Sequence, residues 1–167
     1  MVLALFEQLK AGEPALMQTA TVFGLIWAGL IIASGNLMLH NPSIVAELYG
    51  RDPAQAVTAW TALESVENGI TSGNELVGSL WVLLLSVAAL RTGGLPRPLS
   101  TLGLVLGVAG ILTIIPALAE TTIMIFGPGM IVWSVWAGII LLRGSRVAAN
   151  QQADTYVPRL GTTTLSN

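Results

Sequence analysis

The chain has 167 residues, of which 53% are hydrophobic and 10% charged, with a formal net charge of -2. A soluble domain carries roughly 25% charged residues, so the composition, with its mean hydropathy of +0.75, excludes a water-soluble globule. The small net charge and the lack of a basic run exclude nucleic acid as a partner, and with no Cys and one His there is no disulfide, thiolate metal site or multi-histidine centre to expect.

The charges are unevenly placed. No Asp, Glu, Lys or Arg occurs from Pro14 to Ala46, Leu76 to Leu90, Pro98 to Ala119 or Thr121 to Leu142, gaps of 33, 15, 22 and 22 residues. A membrane-crossing helix needs about 20. The expected architecture is therefore all-α: an integral membrane four-helix bundle in which residues 1–143 form a single transmembrane domain.

In chain order, Met1 to Phe6 is apolar but stops at Glu7, like the end of another element. The first long apolar run has no positive segment before it and exceeds the roughly 7 to 15 residues of a signal-peptide core, so a retained span is expected at about 16–39. It ends in the polar cluster Asn36, His40, Asn41 and Pro42. An outer loop follows from His40 to about Gly69. Within it, Asp52 and Pro53 give the signature of a helix start, an N-cap before a proline at the first helical position. That helix either runs unbroken into the second span or kinks at Gly69 and Gly73.

The 15 uncharged residues before Arg91 rise only about 22 Å against a hydrocarbon core of about 30 Å. The second span must reach back to Ile70, giving about 70–90 and placing Asn74 and Glu75 inside the membrane boundary. A third span is expected at about 99–118 and a fourth at about 122–142, joined as a hairpin near Glu120. The triplet Gly127, Pro128, Gly129 is expected to break or kink the fourth. Residues 144–167 read as a polar cytoplasmic tail with little to bury and no fixed structure.

This topology places Lys10, Arg91, Arg97, Arg143, Arg146 and Arg159 on one side and only Arg51 on the other. By the positive-inside rule the first side is cytoplasmic. The expected location is the cell inner (plasma) membrane, multi-pass, with both termini inside.

At 100° per residue, Glu64, Glu67, Asn68, Thr71, Glu75 and Gly78 fall within about 60° of one line, a polar helix face that enters the membrane. An intramembrane carboxylate is expensive and ordinarily faces a bundle interior or cavity. The candidate polar site is accordingly Glu67, Thr71, Asn74, Glu75 and Glu120, with Glu75 foremost. The acids lack any dense ligand pattern, so no metal and no cofactor are expected, and the one His forms no recognisable triad. Small residues at helical spacing, Gly24 and Ala28, Gly103 and Gly107, Ser134 and Gly138, are candidates for close helix packing. Trp27, Trp81, Trp133 and Trp136 lie within spans and read as packing residues.

The run SGNELVGSLWVLLLSVAALRTGGLPRPLSTLGLVLGVAGILTIIPAL, then IFGPGMIVWSVWAGIILLR, resembles a family of uncharacterised bacterial multi-pass membrane proteins that share a domain of unknown function. DPAQA and FGLIWAGLIIASG look like the same family. Its most specific parts are Gly73, Asn74, Glu75, Gly78 and Trp81, then Gly93 to Arg97. Members usually have about six spans, so the resemblance implies that Met1 to Phe6 is the tail of a preceding helix and that two N-terminal spans are missing here. It implies a fold and a location but no activity.

The expected function is a non-enzymatic one: a structural or accessory membrane protein packing within the lipid bilayer against itself, as a homo-oligomer, or against other membrane protein subunits. The alternative is a small cation or proton transporter or channel using the intramembrane carboxylate.

Overall fold

The computed structural model describes the backbone of residues 1–156 and the side chains of residues 1–144. These residues form five helices: α1 (Val2–Leu9), α2 (Pro14–Tyr49), α3 (Pro53–Thr92), α4 (Arg97–Leu112) and α5 (Pro116–Tyr156). The all-α expectation holds, with α1 as an additional helix. Of these, α2, α3 and the Pro116–Gly144 part of α5 are long and apolar enough to cross a membrane, and α4 is a shorter apolar helix. Helices of that length and apolarity point to a membrane location.

The expected outer loop is not a loop. With 36 and 40 residues, α2 and α3 are about 54 and 60 Å long at 1.5 Å per residue, and their paired ends fill residues 40–69. Pro42 cannot donate to the preceding turn, yet α2 continues through it. Asn36 and His40 of that polar cluster, with Ser43 beside it, bond along the helix instead. Asn36 Nδ2 donates to Ile32 O at 2.9 Å, Ser43 Oγ donates to His40 O at 2.8 Å, and His40 Nδ1 lies 2.8 Å from Asn36 O. Pairing with α3 supplies the rest, because Ala20, Gly24, Ser34 and Asn41 are buried along one stripe of α2. Their steps of four, ten and seven residues keep such a stripe facing one partner helix.

The start of α3 follows its local signal. The Asp52 carboxylate accepts from the amides of Ala54 and Gln55, both at 3.0 Å, ahead of Pro53. Neither Gly69 nor Gly73 interrupts the helix, which stops at Gly93 with φ +68°, a left-handed cap for which glycine is suited. The next boundary departs from expectation. In place of a turn near Glu120, α4 ends at Leu112 and α5 begins at Pro116. Pro116 cannot extend α4, but its fixed φ suits the first position of a new helix. The triplet at 127–129 does not break α5. The backbone of α5 also continues through Tyr156 into the segment expected to be an unstructured tail, and residues 157–167 lie outside the described residues.

The segment Met1 to Phe6 belongs to α1, which buries Leu5 and Leu9. Gln8 Nε2 donates to Gly94 O at 2.9 Å, and Glu13 meets Arg91 at 3.3 Å, tying α1 and the start of α2 to the end of α3. In the bundle α3 is central, packed on α2 along one side and on α4 along the other, with α5 against α4. The α3 to α4 contact is a row of small residues. A Cβ at Gly103 would overlap Ser86, one at Gly107 would press on Leu83, and one at Gly110 would overlap Ser79. Among the described residues, α2 and α5 do not pack along one another. They leave a groove, and α3 is its floor.

Candidate functional site

Two stretches of like pattern build the floor. Gly24 and Trp27 on α2, and Gly78 and Trp81 on α3, are each a glycine followed three residues later by a tryptophan. In the antiparallel pair each indole lies over the other helix's glycine: a Cβ at Gly78 would run into Trp27 Nε1, and one at Gly24 would stand 2.7 Å from Trp81 Nε1. The two rings stack with centroids 5.1 Å apart and planes 29° from parallel. Trp133 of α5 meets Trp81 edge-on, at 5.6 Å and 82°, and its Nε1 donates to Leu99 O at 3.1 Å. This three-tryptophan cluster closes the bundle below the groove, since Trp81 is 1% and Trp133 0% exposed.

Above the cluster, a cavity of about 420 Å³ opens between α2 and α5. Trp27 and Ile31 form one wall, Phe126, Met130 and Ser134 the other, and Asn74 and Glu75 the polar part of the floor. Its size falls in the range of small-molecule sites, and its mostly apolar lining with a few convergent polar groups has their usual character. Trp27 Nε1 and Asn74 Oδ1 are both buried without a hydrogen-bond partner. Such orphans are uncommon, because a buried polar group without a partner costs about 1–3 kcal/mol. Glu75 is half-buried, and Thr113, in the α4 to α5 turn, lies beside it. The Thr113 hydroxyl donates to Gly110 O at 2.7 Å.

The expected polar site is thus divided. Asn74 and Glu75 share the groove, and Thr71 is half-buried one turn away. Glu67 lies about 12 Å further along α3. It lines a separate cleft of about 160 Å³ with Asn41, Trp60 and Glu64. Glu120 is exposed near the start of α5 and does not reach the groove. Among the described residues no three His, Asp or Glu side chains converge as metal ligands.

The small residues divide as well. Gly103 and Gly107 pack against α3, and Gly24 receives Trp81, a ring instead of a helix backbone. Ala28 is exposed, and nothing lies within 4 Å of a Cβ at Gly138. These two make no close helix contact here, because they sit on faces turned away from their neighbours. Ser134 lines the groove. The partners that sequence reasoning missed are Trp27 and Phe126, together with the tight seat of Gly110. The repeated glycine and tryptophan spacing was the available signal for the first.

Apolar helices of spanning length, closed by buried aromatic rings and flanking an apolar groove, point to a helical membrane protein. The chain belongs to a family characterised by a domain of unknown function, DUF4386, which matches residues 1–144. No curated protein and no solved structure matches the chain.

Proposed function

We propose that the protein is a non-enzymatic accessory component of the cell inner (plasma) membrane. It crosses the bilayer four times with both termini cytoplasmic and holds the paired ends of α2 and α3 outside as a helical arm. The orientation rests on the bases. Lys10, Arg91, Arg97 and Arg143 gather at the end of the bundle where α2 begins and α3 ends, and among the described residues Arg51 alone marks the other. The observation that carries the accessory role is the apolar surface of the arm: Val57, Ile44 and Tyr49 are 61%, 59% and 59% exposed. With about 20 residues needed to cross the hydrocarbon, these positions project beyond it, where clustered apolar side chains mark contact with another protein. A second copy of the chain or another membrane subunit would cover them.

The test is photocrosslinking in native membranes from a benzoyl-phenylalanine placed at Ile44 or Val57. A discrete protein adduct is expected from both positions, and its absence from both discards the accessory role. A second reading, a proton or small-cation relay, is favoured by one observation, the half-buried Glu75 carboxyl in a cavity. Against it, the buried Trp81, Leu85 and Trp133 close the route toward the basic end. Proton flux into proteoliposomes that disappears in Glu75→Gln would favour the relay, and flux indistinguishable from protein-free vesicles would remove it.

A further inference from the structure

We infer that the groove between α2 and α5 binds a membrane-dissolved amine, an apolar chain ending in one ammonium group, whose head pairs with Glu75. This goes beyond the accessory role and does not depend on it, since the arm contributes nothing to the groove, and it needs no route across the bundle. Glu75 is within reach of such a molecule. It is half-buried and lines the cavity, and its oxygens are not among the sealed polar atoms that include Trp27 Nε1 and Asn74 Oδ1. Among the described residues no base neutralises it: the ion pairs are Lys10 with Glu7, Arg51 with Glu47 and Arg91 with Glu13. The polar side chains that share the groove or adjoin Glu75, namely Asn74, Thr113 and Ser134, are neutral.

The occupant follows from the charge and the lining together. A lone carboxylate at the edge of hydrocarbon is costly, whereas one paired with an ammonium places no net charge there. Glu75 stands 16 residues from Arg91, about 24 Å along α3. With Arg91 at one face of a hydrocarbon layer of about 30 Å, Glu75 lies near the other, at the level where an amphiphile holds its head. From there the α5 wall runs from Ile123 to Val135 toward the Arg91 end, with Phe126, Met130 and Ile131 between, an apolar bed of about 18 Å. Because α2 and α5 do not pack along one another, the molecule enters sideways from the acyl-chain region. Trp27 and Phe126 line the same groove, and aromatic faces attract ammonium groups. A bare inorganic cation fits less well: Ca2+ takes about six to eight oxygens, and among the described residues no three acids converge. An anionic head would be repelled by Glu75, and an alcohol would leave its charge uncompensated.

Binding is observable because Trp27 lines the groove and a bromine atom close to an indole quenches its fluorescence. The full chain in dodecyl maltoside is titrated with 11-bromoundecylammonium, 11-bromoundecan-1-ol and 11-bromoundecanoate. Saturable quenching by the ammonium, reversed by undecylammonium, is expected, with at least about tenfold weaker binding of the other two. Glu75→Gln should abolish the preference for ammonium over alcohol, whereas Glu120→Gln, which removes the same charge outside the groove, should keep it. Gly127→Leu adds bulk at a groove residue where a Cβ would meet no atom within 4 Å, and should weaken ammonium binding by about tenfold. Helix content and melting of each variant are recorded alongside. Should Glu75→Gln fail to fold, Gly127→Leu and the comparison of the three probes decide. Equal binding of the alcohol would show a groove that takes up any apolar chain, and an ammonium preference that survives Glu75→Gln would place the head on acids elsewhere. Undiminished binding in Gly127→Leu would place the chain outside the groove, and unsaturable quenching by all three probes would show partition into the micelle. Each of these overturns the proposal, and none bears on crosslinking from the arm.

Discussion

Gly107 sets how closely α3 and α4 approach, and its replacement has a calculable cost. A Cβ there would stand 2.7 Å from Leu83 Cβ and 3.1 Å from Leu83 Cα. Carbon atoms rest about 3.5–4.0 Å apart, so a single methyl requires the helices to separate by about 1 Å. Because one of the opposing atoms is backbone, no rotamer of Leu83 relieves the overlap. Overpacking of this kind costs about 1–3 kcal/mol, and alanine recovers up to about 1 kcal/mol of helix propensity over glycine. Gly107→Ala should therefore destabilise by about 1 kcal/mol, and Gly107→Leu by about 3 kcal/mol or more. Gly144 has no atom within 4 Å of its Cβ position, so Gly144→Leu should stay within about 0.5 kcal/mol of the parent apart from its propensity gain. Equilibrium unfolding in mixed micelles of dodecyl maltoside and dodecyl sulfate measures both. If Gly107→Leu proves as stable as Gly144→Leu, the two helices do not meet through glycine and the central packing described above is wrong.

Three further outcomes are expected. Asp52→Ala removes the side chain that accepts from two amides at the head of α3 and should cost about 1 kcal/mol, with loss of amide protection in hydrogen exchange confined to the first turn. Trp133→Phe deletes the donor to Leu99 O at a fully buried site and should cost about 2 kcal/mol from the lost hydrogen bond and the space left behind; an unchanged unfolding midpoint would show that the indole is not held there. Single cysteines at Ala54 and Gly144, both exposed, should react with a membrane-impermeant maleimide from opposite sides, Ala54 from outside, and labelling of Gly144 in intact cells would reverse the orientation.

The parts legible in the sequence were those fixed by neighbours along the chain. Asp52 and Pro53 announce the start of α3 through local hydrogen bonding, and counting back from Arg91 put Asn74 and Glu75 on the helix that ends there. Pro42 misled because the local rule, that proline ends a helix, was overruled by a partner helix. Burial of Asn41 and Ser34 along α2 depends on α3, which the local sequence of α2 does not encode. The same proline logic, applied at Pro53, would have placed the start of α5 at Pro116. Recognition of Asn74 and Glu75 as one candidate, with Glu67 and Glu120 elsewhere, needed the position of α5. Trp27 and Phe126 face one cavity from opposite walls although 98 residues lie between them, and no periodicity within either helix relates them.

The unbroken course of α3 makes it a lever. It has no joint between the tip at Pro53 and the tryptophan cluster at Trp81, a distance of about 42 Å, and the wedge of Trp81 between Trp27 and Trp133 is where a fulcrum would bear. Turning α3 by about 5° about that point swings the tip by about 4 Å. The same rotation moves Asn74, about 10 Å above the fulcrum, by about 1 Å. A displacement imposed at the tip would therefore reach the floor of the groove reduced about fourfold, a ratio fixed by where the indoles sit.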